Sequence, residues 1–169
     1  MACLGVYFAL TDDDSEKLLA ATSDREVVEL IQEDIEERWD ADWLLQIDKA
    51  WDALHRCLTD GTLTARGTVR SKCVLGGRQL HRGGDYTISF LDAGEVKEAY
   101  EALRPIDETW FRQQYFALKK KFLWFDISDY EGEIGEEDFD YTWTAFLDTR
   151  AFFHKAAQAN RPIVFTVDH

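Results

Sequence analysis

Apolar and polar positions repeat with two periods along this chain, and the changes of period divide it into elements. Residues 4–10 (LGVYFAL) are an unbroken apolar run containing Val, Tyr and Phe, which predicts a short buried strand. Thr11 and the run Asp12, Asp13, Asp14 then supply side-chain acceptors and negative charge for a helix N-terminus, and Leu18 and Leu19 continue that helix. Ser23 followed by Glu26 is a capping-box pattern for a second helix, in which Val27, Leu30, Ile31 and Ile35 recur at helical spacing. Residues 47–61 (IDKAWDALHRCLTDG) predict a third helix: Ile47, Trp51, Leu54 and Leu58 make one apolar stripe, and Gly61 suits the left-handed conformation that ends a helix.

Residues 62–84 are polar, basic and rich in glycine, and predict a loop with one apolar piece at 73–75. Residues 86–91 (YTISFL) are aromatic and β-branched and predict a strand. Asp92 with Glu95 is another capping box, opening a helix that Pro105 breaks. Asp107 caps a further helix bearing Trp110, Phe111, Tyr115 and Leu118. An acidic loop at 126–138 precedes the longest helix, 139–158, and residues 162–167 (PIVFTV) form a last strand. No repeat or linker divides the chain, so residues 1–169 are expected to form a single domain. The expected fold is mixed α/β (α+β), with three or four strands and five or six helices. Strands so far apart in sequence meet as neighbours in one central sheet, and the helices would cover both its faces as a three-layer α-β-α sandwich.

Composition sharpens this picture. With six Trp, six Tyr and eleven Phe in 169 residues, the chain has ample material for a core and needs no disulfide or metal to hold it. Cys3, Cys57 and Cys73 are odd in number and form no CxxC, which fits a reducing compartment, and the N-terminus lacks the basic and long apolar stretches of a signal peptide or membrane span. The expected location is cytoplasmic. The net charge of −14 is unevenly spread: residues 12–60 hold sixteen acids against five bases, and residues 126–148 nine acids and no base. Residues 61–91, with one acid and five bases, run the other way. Such a surface repels nucleic acid and anionic membrane and attracts a basic protein partner.

The strand GVYFAL, the helix IDKAWDALHRCLTDG, the VLGG turn at 74–77, the strand YTISFL, the paired helices after it and the terminal PIVFTV together resemble the YfbM-like proteins. The resemblance spans nearly the whole chain, and WDALH…LTDG is its most specific motif. It implies a bacterial domain with a mixed α/β three-layer sandwich. Because that family is uncharacterised, it implies no catalytic residues.

The residues themselves offer one compact cluster. On a helix running through 47–61, Asp48, Asp52 and His55 fall at i, i+4 and i+7 beside Trp51, so two carboxylates and an imidazole share a face. A carboxylate beside an imidazole fixes its tautomer and raises its basicity, which would make His55 a general base oriented by Asp52. The blander account has His55 bonded to a backbone carbonyl with both carboxylates in water. Arg78 and Arg82, among glycines, are the candidates for holding an anion, although GxxxxGK and GxGxxG are both absent. No HExxH or CxxC spacing supports a metal site, and no cofactor is expected. The loop at 126–138 half-matches a calcium-binding loop but has Ile127 at its first ligand position and Asp138 at its last. The sequence therefore favours a non-catalytic acidic protein-binding module, similar in character to immunity or antitoxin-type inhibitors of a basic partner. The alternative is a small-molecule enzyme using His55 with Asp48 and Asp52. The chain is expected to be a monomer or homodimer.

Overall fold

The computed structural model describes residues 4–81, 86–122 and 134–168. Five strands form one sheet in the order β2-β1-β5-β4-β3, and every neighbouring pair is antiparallel. The strands are β1 (Gly5–Ala9), β2 (Leu44–Asp48), β3 (Arg78–Gln79), β4 (Tyr86–Leu91) and β5 (Ile163–Asp168). The helices are α1 (Asp12–Ala20), α2 (Asp24–Glu29), α3 (Ala50–Leu58), α4 (Ala93–Leu103), α5 (Glu108–Phe122) and α6 (Glu136–Gln158). The fold is thus mixed α+β, with six helices among the described residues.

Period-two alternation sorts the sheet's side chains into two apolar clusters. Tyr7, Ala9, Phe165, Val167 and Leu91 join the larger one, with residues of α3, α4, α5 and α6. Val6, Phe8, Ile88, Phe90 and Val164 join the smaller one, with Leu18 of α1, Val27 of α2, and Ile31 and Ile35 beyond it. β1 and β5 are buried along almost their whole length, which accounts for their continuous apolar sequences. Each large apolar side chain so enclosed contributes about 1.5–3 kcal/mol. In the larger cluster, Phe111, Phe139, Phe146 and Trp143 pack ring against ring between α5 and α6. The Tyr7 hydroxyl, fully buried there, donates to the Cys73 carbonyl at 2.8 Å.

Three predicted caps form, but the box read at Ser23 and Glu26 closes on one side only. Thr11 and Asp14 make a reciprocal capping box on α1, Asp92 and Glu95 make another on α4, and the Ser23 hydroxyl accepts from the Glu26 N–H. Here Glu26 itself reaches one residue further back, to the Thr22 N–H at 2.8 Å. Asp107 accepts from the Trp110 N–H, opening α5.

Two corrections follow. Five strands, rather than three or four, stand among the described residues, because β2 and the two-residue β3 add an edge strand on each side. The helix predicted to begin at Ile47 begins at Ala50, since Ile47 and Asp48 end β2. Asp48 has φ 49°, a left-handed conformation that no right-handed helix passes through, and it turns the chain from the strand into α3. Ile47 is buried all the same, so its spacing to Trp51 imitates a helical stripe.

After α2 the chain continues without a break into a π-helical segment, Leu30–Glu36, which buries Ile31 and Ile35 on the sheet. Glu36 ties its end to two strands: it accepts from the Tyr86 hydroxyl at 2.5 Å and from the Thr166 hydroxyl at 3.3 Å. Long π-helical stretches are uncommon and concentrate at functional positions.

Candidate functional site

The predicted cluster on α3 is taken apart by its own neighbours. The Asp52 carboxylate pairs with Arg56, one turn on, with Arg56 Nε donating at 2.5 Å and Nη2 at 3.5 Å. Arg56 is only 4% exposed, and its Nη1 also donates to the Gly61 carbonyl. Asp52 therefore orients a buried guanidinium. Asp48, being on β2, is exposed and lies off the helix face that would place it with Asp52 and His55; it acts instead on Tyr141 of α6, whose hydroxyl is pushed up by burial and by its bond to Asp48. Trp51 is buried in the larger cluster.

His55 is fully enclosed. Its Nδ1 accepts the Leu75 N–H at 3.5 Å, and its Nε2 has no hydrogen-bond partner. Burial, followed by the nearby charge of Arg66, lowers its pKa to about 4. The imidazole is neutral at pH 7; the Ala65 carbonyl and the Asp60 carboxylate pull its pKa upward, but burial and the charges of Arg66 and Arg56 outweigh them. Arg66 is turned back on its own loop, donating to the carbonyls of Leu63 and Ala65. Arg78 sits exposed on β3, at the sheet edge opposite β2. Arg82 and most of the acidic loop at 126–138 lie outside the described residues. Among the described residues, no group of three or more His, Cys, Asp or Glu side chains is placed to hold a metal ion, and no helix is long and apolar enough to cross a membrane. Cys57 and Cys73 are buried, and burial pushes the Cys73 thiol up to about 12.

A different region has the geometry of a site. Between α1 and the π-helical segment runs a groove of about 320 Å³, lined by Asp13, Asp14, Glu33, Asp34, Glu37, Lys17 and Arg38. Neither this groove nor the smaller cavity beside it is lined by any residue of the α3 cluster. At the groove's inner edge Asp14 is almost buried and pairs with Arg38 at 2.9 Å. Burial would raise its carboxyl, but hydrogen bonds from Arg38 and Thr11 outweigh that and hold it below the ordinary value. Asp13 has only the solvated i,i+4 pair with Lys17, and Glu33, Asp34 and Glu37 are exposed.

Immediately after Arg38 comes Trp39, which is 50% exposed, has φ 42°, and touches Phe8 edge-on at 6.4 Å between ring centroids. A bulky residue in that backbone region is strained, and such strain gathers at functional positions. The acid-rich run from Asp12 is plain in the sequence. The groove is not, because it depends on how the π-helical segment sits against α1.

The whole architecture has a solved counterpart. The crystal structure of a protein of unknown function, YfbM from Escherichia coli, superposes with a TM-score of 0.71, covering 97% of this chain and 99% of that one at 17% sequence identity. At that identity the likeness is one of fold. No curated protein matches the sequence. The match of residues 1–166 to the family model described as Domain of unknown function (DUF1877) agrees with the YfbM-like pattern of the sequence, and the chain belongs to that family.

Proposed function

We propose that this domain is a non-catalytic protein-binding module, an α-β-α sandwich whose acidic helical face docks a basic partner in the manner of an immunity or antitoxin-type inhibitor. The observation that carries this reading is Trp39, half-exposed and next in sequence to Arg38, which lines the acidic groove. Residues 12–42, which supply the groove and its surroundings, hold thirteen acids against three bases. A field of that sign speeds encounter with a basic surface about 10- to 1,000-fold. Tryptophan is the residue type most enriched among side chains that dominate interface energies. Charge steers the partner, and Trp39 anchors it.

An enzyme built on His55 is the poorer fit, because that imidazole is enclosed and neutral and borders neither the acidic groove nor the cavity beside it. A reducing, cytoplasmic setting fits a chain whose three cysteines are odd in number and form no CxxC.

The test is capture of partners on the immobilised protein at low salt, with Trp39→Ala alongside. A basic protein held by the wild type, released by about 0.5 M salt and lost in Trp39→Ala supports the reading. Partners that resist salt, or that bind both forms equally, contradict it.

A further inference from the structure

Where β1 leads into α1, a second cavity of about 60 Å³ adjoins the acidic groove and shares Asp14 and Arg38 with it. Its other polar walls are Thr11, Asp40, Trp43 and Arg161. The groove is lined mainly by acids, but this cavity has a different character, set by Arg161. The guanidinium carbon of Arg161 lies 3.7 Å from the centroid of the Trp43 indole, and its Nη1 donates to the Ala9 carbonyl at 3.3 Å. Lys155 approaches the same indole, with Nζ 4.4 Å from the centroid, and donates to the Asp42 carbonyl.

Two cations therefore converge on one ring, in a protein with 33 acids against 19 bases, and neither is in an ion pair among the described residues. The carboxylates in the cavity wall do not fill that role. Asp14 is taken by Arg38 and Thr11, and Asp40 accepts from the Asp42 N–H. Arg161 is left with N–H donors facing a cavity and no anion to receive them, while its fork geometry matches a carboxylate.

We infer that Arg161 is the receptor for the C-terminal carboxylate of a basic polypeptide segment whose cationic side chains lie in the acidic groove. The volume suits this end group. About 10–15 Å³ of such space admits one water, so about 60 Å³ is enough for a carboxylate. Asp14 and Asp40 in the wall repel a doubly charged phosphate more than a singly charged carboxylate. The groove next door demands positive charge on the rest of the ligand, so the two cavities together select a chain that is basic along its length and anionic at its end. Capture of a terminal carboxylate beside side-chain pockets is an established mode of peptide recognition. This inference rests on the docking reading above and names the part of the partner that is bound.

The test compares one Lys/Arg-rich synthetic peptide as the free acid and as the C-terminal amide, by calorimetry at low salt. The free acid is expected to bind about tenfold more tightly. Arg161→Gln should erase that difference while leaving binding of the amide, and Arg161→Lys, which keeps the charge on Trp43, should retain part of it; circular dichroism checks that both variants fold. Equal binding of acid and amide, or a preference that survives Arg161→Gln, overturns the inference and leaves docking intact. If neither peptide binds, both readings fall. If Glu33→Gln/Asp34→Asn/Glu37→Gln binds the amide as well as the wild type does, the groove reading fails while a carboxylate preference removed by Arg161→Gln still stands.

Discussion

Acid is the perturbation that most sharply tests the placement of His55. In the folded protein its pKa is lowered to about 4, by burial first and by the charge of Arg66 second, against 6.5 for an imidazole in water. The unfolded chain therefore takes up a proton at a pH where the folded one does not. The contribution is complete above about pH 6.5, declines as pH falls and is exhausted near pH 4, below which both states are protonated. The gap between 6.5 and about 4 corresponds to about 3 kcal/mol of stability lost across that window. Carboxylates also titrate there, so the readout is a difference. Urea unfolding of the wild type and of His55→Gln is measured from pH 7.5 to pH 4. Glutamine can still accept from the Leu75 N–H, which bonds to Nδ1 in the wild type. Whatever its stability at neutral pH, the variant should lose about 3 kcal/mol less than the wild type on acidification. Parallel curves for the two proteins, or an imidazole resonance in the folded state that titrates near 6.5, would refute the reasoning and reopen His55 as a candidate base.

Other outcomes follow from the same packing. Gly76→Ala places a Cβ 2.4 Å from the backbone carbonyl carbon of Ser71 and from its hydroxyl, so the turn must move; a loss of about 2–3 kcal/mol is expected by urea denaturation. Asp92→Ala removes the side-chain acceptor of the α4 capping box and should cost about 1 kcal/mol, a fall of about 2–4 °C in Tm by calorimetry. In a Cys3→Ser background, Cys57 and Cys73 should stay unmodified by a thiol reagent in the native protein and react at once in urea, since both are buried and the Cys73 thiol is held up at about 12.

Local chemistry explains what could be read from the chain and what could not. Thr11, Ser23, Asp92 and Asp107 announce helix starts because a cap needs only a side-chain acceptor and three or four following residues, and all four are found capping. β1 and β5 are legible because burial on both faces leaves a continuous apolar run. β2 is hidden because Ile47, buried near the end of a half-buried edge strand, happens to stand at helical spacing from Trp51, and the turn at the left-handed Asp48 leaves only Lys49 between the two elements. The π-helical segment has the same apolar spacing as an α-helix and cannot be distinguished by period.

The candidate site fared similarly. Asp52 is four residues from Arg56 and three from His55, and pairing with the stronger, permanent cation prevails. The acidity of residues 12–42 is legible as charge, but the groove and the outward Trp39 depend on tertiary placement.

The central claim is that one face, and not acidity in general, recognises the partner. Two variants that remove equal charge decide it: Glu33→Gln/Asp34→Asn/Glu37→Gln in the groove, and Glu137→Gln/Asp140→Asn/Asp148→Asn on α6, a helix outside the groove lining. Affinity for a Lys/Arg-rich peptide, measured over a range of salt, should fall by about tenfold or more and lose much of its salt dependence in the groove variant, while the α6 variant stays close to the wild type. Equal losses in the two variants would contradict the account.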